Sequence, residues 1–267
     1  MNIKQRTIKL AVEDFYAALS MSPIWLAMGN YELKERHSRS VLGPFWLVLS
    51  TAVQVAVTSF VLSILFKMNL ERFLPYIAIS LILWQYFSNA VMETSLTFVS
   101  NGEIIKSIKR PYNYYIFLAL WRNLLLSAYG LFIFLVCLVI FQIKPTINFL
   151  LVVPGLFLFI LNVYWLSLFL AICTVRYRDV PPVIQNSLTI LFWLTPVCYR
   201  FDQLPINAQY FIRFNPLTHW LEVVRAPFLM EQTQPISWFI SIGTIIVGGF
   251  VTGLLFAYNR HKLSLWV

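Results

Sequence analysis

Residues 114–142 read YYIFLALWRNLLLSAYGLFIFLVCLVIFQ, an apolar run interrupted by one charge, Arg122. A helix needs about 20 residues to cross a hydrocarbon core of about 30 Å, and a run this long with a single ionic group reads as a membrane-spanning helix. Working outward, further apolar stretches lie near 41–66, 73–100, 147–174, 183–199 and 236–258. Together they predict an all-α polytopic membrane protein with six transmembrane helices. The stretch at 183–199 is short and contains Pro196, so its outer end is expected to break or turn.

Composition agrees. Of 267 residues, 59% are hydrophobic, 17% aromatic and only 12% charged, where a soluble domain carries roughly 25% charge. So little charge cannot cover a water-facing surface, which excludes a soluble globular enzyme. The net charge of +9 would point to nucleic acid in a soluble protein. Here the positive-inside rule accounts for it, and no nucleic-acid partner is expected. Lys4, Arg6, Lys9, Lys34, Arg36 and Arg39 precede the first span, Lys106, Lys109 and Arg110 follow the second, Arg176 and Arg178 the fourth, and Arg260 and Lys262 the sixth. The opposite side holds Lys67, Arg72, Lys144, Arg200, Arg213 and Arg225. A bias of about two to one places both termini in the cytoplasm. The division within one domain, 1–267, is then a cytoplasmic and interfacial segment at 1–40, six spans over 41–258, and a cytoplasmic tail at 259–267.

Between and before the spans the sequence is informative in three places. Ser22-Pro23 offers an N-cap and a proline at the first helical position. Ile24, Trp25, Met28 and Tyr31 then form an apolar stripe, with Glu32, Lys34, Glu35, Arg36 and Arg39 crowding the far end. This predicts an amphipathic helix in the membrane interface. Asn101-Gly102-Glu103-Ile104-Ile105-Lys106-Ser107-Ile108-Lys109-Arg110-Pro111 predicts a short cytoplasmic helix stopped by proline. Ile104, Ile105 and Ile108 are read as one face, docked on lipid or offered to a partner protein. Residues 199–235 are too long for a turn and too apolar for a solvated loop. Pro205, Asn215-Pro216 and Pro227 divide them into two short helices, read as re-entrant.

Motifs of catalysis are missing. The sequence has no HExxH and no CxxC, and His37, His219 and His261 are scattered. No metal site and no catalytic residue is assigned. Cys137, Cys173 and Cys198 read as small hydrophobes. His219 and Glu222 read as a packing pair. A phosphate-binding loop is absent, since Gly243 and Gly248 are followed by Gly249 where lysine is required. The chain is therefore not expected to hydrolyse ATP, and no cofactor is assigned to it. Glu93 and Arg122 fall at equal depth, about 13 Å from the cytoplasmic bend. They read as a buried ion pair or a relay between neighbouring helices.

The ordered set Arg39-Ser40-Val41-Leu42-Gly43-Pro44-Phe45-Trp46, Arg176-Tyr177-Arg178-Asp179-Val180, Leu194-Thr195-Pro196-Val197-Cys198-Tyr199 and Asn215-Pro216-Leu217 resembles polysaccharide-exporting ABC-transporter permeases of the type-2 exporter class. The likeness is greatest to the O-antigen export permeases, with capsule and teichoic-acid permeases as relatives. The resemblance implies a homodimer in the bacterial inner membrane, paired with two copies of a nucleotide-binding ATPase that binds ATP and Mg. The implied cargo is a lipid-linked polysaccharide on undecaprenyl diphosphate. By the same analogy Glu103, Ile104, Ile105, Lys106, Ile108, Lys109 and Arg110 form the coupling helix. Residues 24–36, with Trp25, Met28, Tyr31 and Arg36, are the interfacial gate helix. Spans one and five line the channel, where Trp46, Phe60, Phe192, Trp193 and Tyr199 stack on sugar rings or belong to the lipid-facing aromatic belt. An ATP-independent transporter is the other reading.

Overall fold

The computed structural model describes residues 3–37, 43, 45–67, 69–142 and 146–267, and among these no strand occurs. Residues 39–42 and 44 of the opening motif lie outside them. In chain order the helices are α1 (Ile3–Ser20), α2 (Ser22–His37), α3 (Phe45–Phe66), α4 (Leu70–Ser100), α5 (Gly102–Ser107), α6 (Tyr112–Ile140), α7 (Val152–Arg176), α8 (Val180–Leu194), α9 (Ile206–Arg213), α10 (Pro216–Phe228) and α11 (Pro235–Trp266). A 3-10 turn, Ile147–Leu151, leads into α7, and another, Phe201–Gln203, precedes α9.

Five of these helices are long and apolar enough to cross a membrane: Val48–Phe66, Phe73–Ser100, Tyr112–Ile140, Ile147–Arg176 and Pro235–Trp266. The expected sixth span at 183–199 is not among them. Helix α8 has 15 residues and rises about 22 Å, short of a full hydrocarbon core. Its end is chemical, because the residue before a proline is pushed out of the helical region. Thr195 sits at φ −108°, ψ 137°, and the chain turns at Thr195-Pro196. The expected tail at 259–267 is instead the continuation of α11 to Trp266, with Leu263 fully buried.

Helix α4 is the central post. Every residue from Ile77 to Trp84 is buried, so over these two turns the helix is enclosed on every side by protein. Around it pack α3, α6, α7, α8 and α10, while α11 packs on α7, α10 and α1, and α2 lies along α6. Two glycines set close approaches. A Cβ on Gly29 of α2 would stand 2.7 Å from Trp121 Cδ1 on α6. One on Gly155 of α7 would collide with the backbone carbonyl of Val223 on α10. Through Gly155 the short helix α10 meets the spanning helix α7 backbone to backbone.

That contact makes a prediction. Gly155→Val forces α7 and α10 apart and is expected to cost about 2 kcal/mol, the usual scale of overpacking. It should lower both Tm and the monodisperse yield on gel filtration. Gly243→Ala on α11, where a Cβ meets nothing within 4 Å, should leave both unchanged.

Candidate functional site

The site has an end at α5, a set of supports, and an exposed face. At that end α5 follows α4 after one residue. Glu103, Ile104, Lys106, Ser107, Ile108 and Lys109 are exposed. Ile105 instead packs against the core, because it lies about 100° around the helix from Ile104. The helix ends at Ser107, so the expected three-isoleucine face reduces to Ile104 and Ile108. Arg110 turns back over the Tyr114 ring, 5.1 Å from its centroid.

Directly after this bend, Asp14 of α1 holds the start of α6. Its carboxylate accepts from Tyr112 N at 3.1 Å, Asn113 N at 3.1 Å and Asn113 Nδ2 at 2.9 Å. Pro111, at the cap position, offers no side-chain bond, so a residue from another helix does the capping. Arg260 of α11 pairs with the same carboxylate at 3.2 Å, and Tyr164 of α7 donates to Asn113 Oδ1 at 2.6 Å. Three helices therefore meet at one buried acid, and α7 joins them through Asn113. Sequence reasoning missed Asp14, whose partners lie some hundred and more residues away.

Deeper in the bundle the structure places Arg122 of α6 against both Glu93 of α4 and Glu32 of α2. Asn123 donates to the other Glu93 oxygen. Glu32 enters because α2 lies on α6 in the register that Gly29 and Trp121 permit. In that register Trp25 points inward. Its Nε1 donates to Ala18 O at 3.1 Å, and its ring meets Phe117 at 5.7 Å and Trp121 at 6.5 Å. The expected stripe divides: Trp25 faces the bundle, while Ile24, Met28, Tyr31 and Arg36 face outward.

On the exposed face, Trp46 and Phe60 of α3 and Trp193 of α8 are well over half exposed. Phe192 turns in against Trp84 of α4, with centroids 5.5 Å apart, and Tyr199 OH donates to Trp193 O at 2.9 Å. Between α4 and α8 lies a cleft of about 300 Å³ lined by Trp84, Ser88, Asn89, Gln185, Thr189 and Phe192. Beside it Gln85 of α4 donates to Gln54 of α3 at 2.8 Å. Among the described residues no charged side chain lines this cleft. Its amides and hydroxyls were missed, although Gln85, Ser88 and Asn89, and Gln185 and Thr189, repeat at three and four residues, the spacing of one helix face.

The broken end of α8 rests on a fourth cluster. Arg225 of α10, 4% exposed, donates to Pro196 O and to Ser80 Oγ at 3.2 Å, and pairs with Glu222 at 2.9 Å. It lies over the Tyr76 ring, 4.5 Å from the centroid. Tyr76 OH donates to Pro196 O at 3.0 Å and Tyr199 O at 2.9 Å. Asn215 caps α10 through Leu217 N at 3.0 Å and reaches Thr195 Oγ1 at 2.9 Å. The expected packing pair of His219 and Glu222 is divided: His219 contacts Ser237 Oγ and Arg213 O, each at 2.9 Å.

Comparison with known proteins places this geometry. Residues 24–229 match the ABC-2 type transporter family. Two O-antigen export system permease proteins RfbA of Klebsiella pneumoniae are similar along most of their length. One is 20% identical over 224 residues, covering 82% of this chain and 86% of that protein. The other is 19% identical over 236 residues, covering 87% and 90%. An O-antigen export system permease protein RfbA of Myxococcus xanthus is 20% identical over 244 residues, covering 90% and 93%.

The triad around Arg122 yields a graded expectation. Either Glu32→Gln or Glu93→Gln leaves Arg122 with one carboxylate. Arg122→Gln instead strands two acids and should cost most, about 3 kcal/mol, the lower end for breaking a buried pair. The triple variant should regain part of that loss. Folded yield and Tm in detergent read the order.

Proposed function

The chain belongs to the ABC-2 type transporter family, and from that premise we infer that it is the membrane subunit of an ABC exporter for lipid-linked polysaccharide. The cargo is of O-antigen type, carried on undecaprenyl diphosphate. Two copies of the chain pair with two copies of a separate ATPase, which binds ATP and Mg, in the bacterial inner membrane with the chain termini in the cytoplasm. The observation that carries the cargo reading is the uncharged cleft between α4 and α8. Sugar chains present hydroxyls and apolar ring faces. Gln185, Asn89, Ser88 and Thr189 suit the first, and Trp84, Phe192 and the exposed Trp193 suit the second. A surface without fixed charge holds such a chain weakly at many points and lets it slide.

The backbone around α8 supports a sixth crossing made of unusual parts. Helix α8 and the buried turn Thr195–Cys198 together cross the bilayer, and α9 and α10 dip back into it. Ser80 lies about 15 Å along α4 from Leu70, and Arg225 of α10 reaches it. Irregular backbone at such depth is tolerated only where protein encloses it. The α5 surface, with Ile104 and Ile108 flanked by Glu103, Lys106 and Lys109, suits docking on the ATPase. The outward face of α2, with Met28, Tyr31 and Arg36, suits a gate in the cytoplasmic interface.

Two experiments test this reading. The pair Ile104→Ser, Ile108→Ser should reduce co-purification of the ATPase about tenfold while the spans still insert; unchanged co-purification and stimulated hydrolysis would remove α5 from this role. In cells that rely on this chain for O-antigen export, Gln185→Ala with Trp193→Ala should lower surface polysaccharide several-fold at equal folded protein. A normal level would exclude the cleft, and restored capsule or teichoic acid in place of O-antigen would reassign the cargo.

A further inference from the structure

Helices α7 and α11 pack side by side and finish at the same end of the bundle. Between their last turns is a cavity of about 480 Å³. Its rim carries two cations, Arg176 and Lys262, both exposed. Among the described residues neither has a carboxylate partner or donates to a helix carbonyl. The Arg176 guanidinium lies over two rings of the same rim, 4.8 Å from the Trp266 centroid and 5.9 Å from that of Tyr177. Further in, about one to two turns back along each helix, the partly exposed walls are Cys173 and Leu255, with the Asn259 amide beside them and the buried Ile172 as the floor. Cations at the mouth, aromatic rings beside them and aliphatic walls behind repeat the order of a phospholipid: phosphate, glycerol ester, acyl chain.

We propose that this cavity is a binding site for one anionic glycerophospholipid, phosphatidylglycerol in the probe used below. Its phosphodiester lies between Arg176 and Lys262, and its acyl chains run along Cys173 and Leu255. The proposal rests on the cytoplasmic placement of the termini given under Proposed function, which sets this end at the inner leaflet, where anionic headgroups attract basic groups. It concerns a different flank from the cargo cleft. Helix α11 packs on α1, α7 and α10, whereas the cleft is built on α4 and α8. A free phosphate would use the cations but not the aliphatic walls, so the site is assigned to lipid.

The test uses the purified complex of this chain with its ATPase, in nanodiscs of phosphatidylcholine with added phosphatidylglycerol. Lipid retained after detergent extraction is quantified by mass spectrometry. Wild type should retain phosphatidylglycerol above its bulk fraction. Arg176→Gln and Lys262→Gln should each lower that retention about fivefold, the factor carried by one juxtamembrane charge. Arg178→Gln, an exposed cation outside the cavity, should not. Equal retention by all variants, an equal loss with Arg178→Gln, or full displacement by inorganic phosphate would overturn the site. So would loss of the ATPase from Arg176→Gln and Lys262→Gln complexes in pure phosphatidylcholine, which would assign the cations to that partner. Polysaccharide export measured in parallel separates the two readings, since a failed export reading leaves the retention result standing.

Discussion

In hydrocarbon every backbone N–H and C=O must find a partner inside the protein, and each one left alone costs several kcal/mol. The turn after α8 is irregular backbone buried inside the protein, and it meets the same requirement. Its carbonyls at Pro196 and Tyr199 accept from Tyr76 OH, and Arg225 adds a second donor to Pro196. The guanidinium is itself matched by Glu222 and by the Tyr76 ring. A charge buried this deeply is tolerable because each of its neighbours is polar or aromatic and fixed.

The same requirement governs the end of the bundle at α5. Helix α6 begins after a proline that cannot cap it, and Asp14 supplies the acceptor from α1 while also pairing with Arg260 of α11. Helix α2 is held to α6 by Arg122 and Glu32 and by the Gly29 contact. Helices α1, α2 and α11 are thus attached to the first half of α6, which is reached directly from α5. Hydrogen bonds and ion pairs therefore join the helix that follows α5 to α1, α2 and α11.

The exposed α3 and α8 face carries a different chemistry. Trp46, Phe60 and Trp193 are exposed on it, Trp193 edge-to-face on Phe192, whereas Phe192 and Tyr199 are engaged with Trp84 and with the α8 backbone. The aromatic residues thus divide into two roles, shaping the cleft and presenting rings. The amides and hydroxyls between them are the polar component that an all-aromatic surface would lack.

What the sequence by itself determined follows from transfer free energy, which is local. Length and polarity read a multi-pass membrane protein, located the five long spans within about two residues except at the start of the first and the end of the last, and placed Glu93 and Arg122 at one depth, because each depends only on residues near in the chain. The ordered motifs carried the family likeness for the same reason. Tertiary structure alone decided which faces meet. Ile105 and Trp25 turn inward because of the phase at which α5 and α2 land on their neighbours. Glu32 joins Arg122 from 90 residues away, and Asp14 meets Arg260 from 246 away. Arg225, counted among the outer charges by position, is enclosed because α10 folds back onto α4. Partner choice between distant helices depends on rotation and register, which are set by packing over the whole bundle and leave no trace in a local pattern.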